Sequence, residues 1–267
     1  MSKPNLKILV SSVLMVTTFL VAGCQTVSDN KTDPQKALQA RTQLATEYIK
    51  MGDLDSAMRE LNQAMQINSR DSTANMMMGV LLQREGSKIN NEKAERYFKA
   101  AISADSKNAQ ARNNYGTYLY QNGRYNDALE QFNIAGSTLG YDQRFAALEN
   151  AGRIYIQLGD VSNAEKTFKH ALHVNRNSYV SMVELADIYY LRQEIPAATK
   201  LYEESVNLIG QNKQNARALW LGIRLARANG NPLETQVLVN QLRALYPDSP
   251  EYQRYLQLQY SSEVVWK

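Results

Sequence analysis

The stretch Ala111–Ala135, ARNNYGTYLYQNGRYNDALEQFNIA, decides the fold. Tyr115, Tyr118 and Leu119 fall at i, i+3 and i+4, so a first helix carries one apolar face. Asn122-Gly123 stops that helix, glycine supplying the left-handed residue a helix end favours. Ala128, Leu129, Phe132 and Ala135 then form a stripe on a second helix. Neither helix can bury its stripe alone, but two antiparallel helices joined by so short a turn bury both. Gly116 lies inside the first helix, where glycine costs ~1 kcal/mol relative to alanine. Such a cost implies a close approach of backbone to a neighbour.

The same markers recur along the chain. The small residue of the first helix returns as Ala45, Gly79, Gly116, Gly152, Ala186 and Gly222, at spacings of 34, 37, 36, 34 and 36. Turn glycines return as Gly52, Gly86, Gly123 and Gly159, and second-helix alanines as Ala57, Ala94, Ala128, Ala164 and Ala198. Four residues after each alanine stands Leu61, Phe98, Phe132, Phe168 or Tyr202. Markers held in phase at a period near 34 resemble the tetratricopeptide repeat. The resemblance implies an all-α, right-handed superhelical solenoid of about six helix pairs plus a C-terminal helix. One domain would cover residues 34–260, with 261–267 a tail. Three departures stand out. The second repeat carries about three extra residues within Ser87 to Asn91, expected to protrude at its turn. The fifth places Gln193 where the turn glycine belongs, and the degenerate sixth would close the stack.

Ahead of the repeats, Lys3 and Lys7 form a basic start, and Ile8 to Ala22 is uncharged and mostly apolar. That run is short for a membrane span, which needs ~20 apolar residues, and suits a secretory signal. Val21-Ala22-Gly23-Cys24 resembles a bacterial lipobox. This implies a signal peptide over 1–23, lipid attachment at Cys24 and a polar tether over 24–33. Gln25, in place of the aspartate that holds Gram-negative lipoproteins at the inner membrane, implies a lipid-anchored outer-membrane protein facing the periplasm. Cys24 is the only cysteine, so no internal disulfide forms. Asp33-Pro34 opens the fold as N-cap and first helical residue.

Chemistry-bearing constellations are scarce. Basic and acidic residues number 30 and 26 and alternate along helices, which argues against nucleic acid as a partner. His170 and His173, the only histidines, lack a third ligand or an HExxH pattern, so no metal is expected. No GxSxG, P-loop or dinucleotide fingerprint occurs, so neither enzyme activity, cofactor nor small-molecule substrate is expected. Met76-Met77-Met78 divides between core and groove. By repeat phase, as the family's pattern implies, a protein-binding groove would be lined by Ile49, Met76, Val80, Asn113, Tyr120, Ile156, Val183, Tyr190, Leu219 and Ile223. Glu149, Arg153, Asp187 and Leu191 share that phase. The groove reads as apolar with scattered amides, suited to a partner helix or an extended peptide.

Asp105-Ser106-Lys107-Asn108-Ala109 running into Asn113-Asn114-Tyr115-Gly116 carries a more specific likeness, as do Gln214-Asn215-Ala216-Arg217 and Leu221 to Ala226. With Leu245-Tyr246-Pro247, Ser249 and Glu251-Tyr252, and a lipobox ahead of the repeats, the chain resembles the type IV pilus biogenesis/stability lipoproteins, the PilF/PilW pilotins. That resemblance implies a non-enzymatic assembly factor that helps the pilus secretin reach the outer membrane and oligomerise. The alternative is a generic periplasmic tetratricopeptide-repeat lipoprotein that scaffolds cell-envelope complexes.

Overall fold

The structure, a computed structural model, describes residues 33–261 and Trp266; the lipobox and Cys24 lie outside the described residues. Those residues form six antiparallel helix pairs and a closing helix. The pairs are α1 (Pro34–Met51) with α2 (Leu54–Ile67), α3 (Ser72–Glu85) with α4 (Lys88–Ala104), and α5 (Ala109–Gln121) with α6 (Tyr125–Ser137). They continue as α7 (Arg144–Gln157) with α8 (Val161–Val174), α9 (Tyr179–Leu191) with α10 (Ile195–Ile209), and α11 (Ala216–Ala228) with α12 (Pro232–Leu245). Helix α13 (Pro250–Leu258) ends the stack, and a 3-10 turn, Gln211–Lys213, precedes α11. Each helix packs on its partner and each pair on the next, the tetratricopeptide-repeat superhelix.

Local chemistry sets the boundaries. Asp33, Asp53, Asp71, Asn108, Asp160 and Asn215 each accept a backbone N–H from the first turn they cap. Gly52, Gly123 and Gly159 take φ of 83°, 73° and 76°, the left-handed conformation that reverses the chain between paired helices. Gln193 occupies the same place at φ 65°, without glycine's freedom.

The mid-helix glycines explain the pairing. A Cβ at Gly79, Gly116 or Gly152 would meet the ring of Phe98, Phe132 or Phe168 at 2.9, 2.8 and 2.7 Å. Each glycine seats the aromatic of its own second helix, so the phase read from Gly116 is the packing register itself. From Ala45 to Ile154 these contacts merge into one buried cluster. Beyond it the core divides into separate clusters around Phe168 and Ile188, Tyr190 and Tyr202, and Leu219 and Trp266.

Three expectations change. The extra residues of the second repeat do not protrude as a loop, because Gly86 and Ser87 alone make the turn. Ser87 caps α4 by accepting the Asn90 N–H, Glu85 accepts from the Ser87 N–H and the Asn90 amide, and the additional residues become a first helical turn. That turn is held by the next repeat, where the Tyr118 hydroxyl donates to the Asn91 carbonyl at 3.0 Å. Met76, Met77 and Met78 are all buried rather than shared with a groove, since α3 is enclosed by neighbours on both sides. Within the expected tail, Trp266 is buried against α11 and α13.

Candidate protein-binding groove

An open cleft of about 430 Å³ crosses the first helices of four consecutive pairs. Thr117 and Tyr120 come from α5, Asn150, Arg153, Ile156 and Gln157 from α7, Glu184 from α9 and Arg217 from α11. First helices converge there because each second helix packs on the outer side of its own pair, leaving one face of α5, α7, α9 and α11 to line a common surface.

The centre of this cleft is charged. Arg217 Nη2 stands 2.5 Å from Glu184 and 3.1 Å from Asp187, while Arg153 Nε is 3.8 Å from the other Glu184 oxygen. Arg224 pairs with Asp187 and lies over the Tyr190 ring at 4.7 Å. Glu184 and Arg224 are buried, so each needs its partner. Such pairs add little net stability over apolar packing, yet removing one member leaves a buried charge at a cost of about 3–5 kcal/mol. They therefore fix how α7, α9 and α11 sit against one another. Behind them, burial pushes the Glu149 carboxyl above its ordinary range, while the hydroxyls of Ser178 and Ser181, which donate to it, and the nearby Arg153 pull the other way. The expectation of an apolar groove with amides is thus corrected at its middle. The available sign was opposite charges one repeat apart, with Glu184 to Arg217 separated by 33 residues and Asp187 to Arg224 by 37. His170 and His173 are exposed on α8, and among the described residues no three His, Cys, Asp or Glu side chains gather as a metal would require.

The tetratricopeptide-repeat family profile matches residues 38–71, 90–137 and 145–178. The type IV pilus assembly protein PilF of Pseudomonas aeruginosa is 32% identical over 254 residues, covering 91% of this chain and 98% of that protein. The chain belongs to the PilF/PilW family of type IV pilus biogenesis proteins. The solved structure of Pseudomonas aeruginosa PilF superposes with a TM-score of 0.76 at 31% identity, over 84% of this chain and 98% of that one. The structure of PilW, described as a widely conserved type IV pilus biogenesis factor, gives 0.69 at 25% identity, over 83% and 99%.

Within this PilF/PilW scaffold the ten groove positions separate into two groups. Tyr120 is exposed, and Val80, Asn113 and Ile156 are half-buried, so these four remain at the surface, with Tyr120 and Ile156 lining the cleft itself. Ile49, Met76, Val183, Tyr190, Leu219 and Ile223 are buried. Ile49 and Met76 belong to the continuous core cluster, and Val183 and Tyr190 to the fifth-repeat cluster. Leu219 and Ile223 share a cluster with Trp266. Repeat phase alone cannot separate a position that faces a ligand from one that faces the next repeat, because both lie on the inner side of a first helix. Among the described residues no helix is long and apolar enough to cross a membrane.

Proposed function

We propose that the chain is an outer-membrane lipoprotein, anchored through Cys24, that brings the type IV pilus secretin to that membrane and promotes its oligomerisation. Membership in the PilF/PilW family supports the setting, and the lipobox-like Val21-Ala22-Gly23-Cys24 supports the anchor. Stable anchoring takes more than one acyl chain, which lipoprotein modification at such a cysteine supplies. The observation that carries the binding role is the cleft running across α5, α7, α9 and α11, with Tyr120 and Ile156 beside the Arg153–Glu184–Arg217 pairs. An apolar side chain of a secretin segment would bury itself against Tyr120 and Ile156, and the charged centre would set its direction.

The test is a blot for heat-resistant secretin multimers in cell envelopes. Tyr120→Ala combined with Ile156→Asp is expected to remove multimers and surface pili while helicity and lipidation stay intact. Charge reversal at exposed Glu130 or Lys166, outside the cleft, is expected to leave both unchanged. Normal multimers in the cleft variant would place the contact on another face; normal multimers and pili in a full deletion would end the secretin reading. Cys24→Ser should release the protein from the outer membrane, and undisturbed fractionation of that variant would remove the anchor.

A further inference from the structure

At the C-terminal end of the stack the inner face is already filled. Trp266 is only 1% exposed although it belongs to none of the thirteen α-helices. Its indole stacks on Trp220 of α11 at 5.4 Å and 24°, meets Tyr255 of α13 edge-on at 6.1 Å, and lies under the Arg227 guanidinium at 4.0 Å. The Tyr190 hydroxyl of α9 donates to the Trp266 carbonyl at 3.5 Å, and the indole N–H donates to the Ser261 carbonyl at 3.4 Å.

Two properties distinguish this arrangement from ordinary core. Both polar contacts sit beyond the usual 2.7–3.2 Å range for protein hydrogen bonds, so stacking and cation–π attraction hold the indole. Two of the box walls, Trp220 and Arg227, also belong to α11, a first helix that contributes Arg217 to the cleft, while Tyr255 closes the box from α13. Trp266 shares its cluster with Leu219 and Ile223 of α11, both buried beneath it. A side chain from outside the α-helices thus covers Trp220 on a helix that also lends Arg217 to the cleft.

We propose that the box formed by Trp220, Arg227 and Tyr255 is a binding site for an aromatic side chain of a partner segment, and that Trp266 is its intramolecular occupant, displaced when the partner docks. The ligand class is an extended peptide presenting an indole or phenol, because the walls offer the π faces of Trp220 and Tyr255 and a guanidinium placed over the ring between them. The proposal does not depend on the partner being a secretin.

The experiment uses the full chain and a fluorescein-labelled peptide copying residues 259–267, QYSSEVVWK. Anisotropy should show the peptide binding the Trp266→Ala variant at least tenfold more tightly than wild type. Adding Trp220→Ala should abolish that binding, as should replacing the peptide's tryptophan by alanine. Equal binding to wild type and variant, or no binding to a folded variant, overturns the proposal. So does loss of helicity in Trp266→Ala, which would make the indole a fixed part of the core. A second measurement needs no variant at all. Trp220 and Trp266 are the chain's only tryptophans, so 5-fluorotryptophan labelling gives two ¹⁹F signals. Millimolar N-acetyltryptophanamide should shift both, and unmoved signals at saturation would count against an exchangeable site.

Discussion

The first three repeats and the last three are built from the same helix pairs but held together differently. From α1 to α7 one large apolar cluster runs through the pairs beside two small ones at Leu38 and Ala109, with Phe98 and Phe132 seated on Gly79 and Gly116 and the Tyr115 and Tyr118 rings beside Phe98. From α7 to α13 the apolar clusters are smaller and separate, and the seams carry Arg153–Glu184–Arg217, Asp187–Arg224 and the Tyr202 hydroxyl donating to Gln214 at 2.7 Å. Apolar contact is non-directional and tolerant of small shifts, whereas charge pairs work at one geometry. The first half is therefore held chiefly by apolar contact, and the second adds charge pairs that set the shape of the face a partner meets.

The largest expected effect strikes the first half. Gly116→Leu forces a side chain against the Phe132 ring, where even a Cβ would stand 2.8 Å away. Overpacking of this kind costs about 1–3 kcal/mol, a fall of several degrees in melting temperature for a chain of this size. Leucine at exposed Gln121, one turn further on, is expected to leave the melting curve in place. Equal curves would mean the continuous cluster does not dominate stability. Next comes Gln193→Gly at the fifth turn. It relieves a left-handed conformation at φ 65° that costs an ordinary residue about 1 kcal/mol. Chemical denaturation should show a gain up to that size, and a loss would mean that the Gln193 amide donating to the Tyr190 carbonyl outweighs the strain.

The smallest effect concerns Glu149, behind the charged seam. Its carboxyl titrates above the ordinary 4.5 in the folded chain, chiefly through burial. Between that value and its raised one the folded state binds more protons than the unfolded, so stability falls as pH rises through the window. Glu149→Gln removes the dependence while keeping an acceptor for Ser178 and Ser181. Its melting point should exceed wild type at pH 7, and the gap should close below pH 4.5. A gap that persists at low pH would assign the effect to packing instead.

The parts of the molecule that repeat are legible in the amino-acid sequence. The small residue at Gly116 and the large one at Phe132 have counterparts along the stack, from Ala45 and Leu61 to Ala186 and Tyr202, because each pair solves the same packing problem, so the period, the helix count and the turn at Gln193 could all be read. Singular contacts have no period to expose them. Arg217 reaches Glu184 across a repeat boundary, and Trp266 returns to Trp220 from outside the helices. Ile49 and Tyr120 both obey the inner-face phase, yet Ile49 is 4% exposed and Tyr120 41%, a difference set by neighbouring repeats rather than by their own helix. Of the ten inner-face positions, Tyr120 and Ile156 line the candidate cleft and six are core, and the charged centre of the cleft was not read at all.

The lengthened α4 shows how a stack of this kind can gain residues during evolution. Three residues inserted within a helix would rotate everything beyond them by about 300°, at 100° per residue, and carry Ala94 and Phe98 off the core. Placed ahead of the helix, between the Ser87 cap and the first buried residue, they leave Ala94 and Phe98 fully buried and in register with Gly79. The turn side of each repeat is thus the edge at which the solenoid can grow: new helical turns added there form a rigid ridge, and the packing code written further along the helix is untouched.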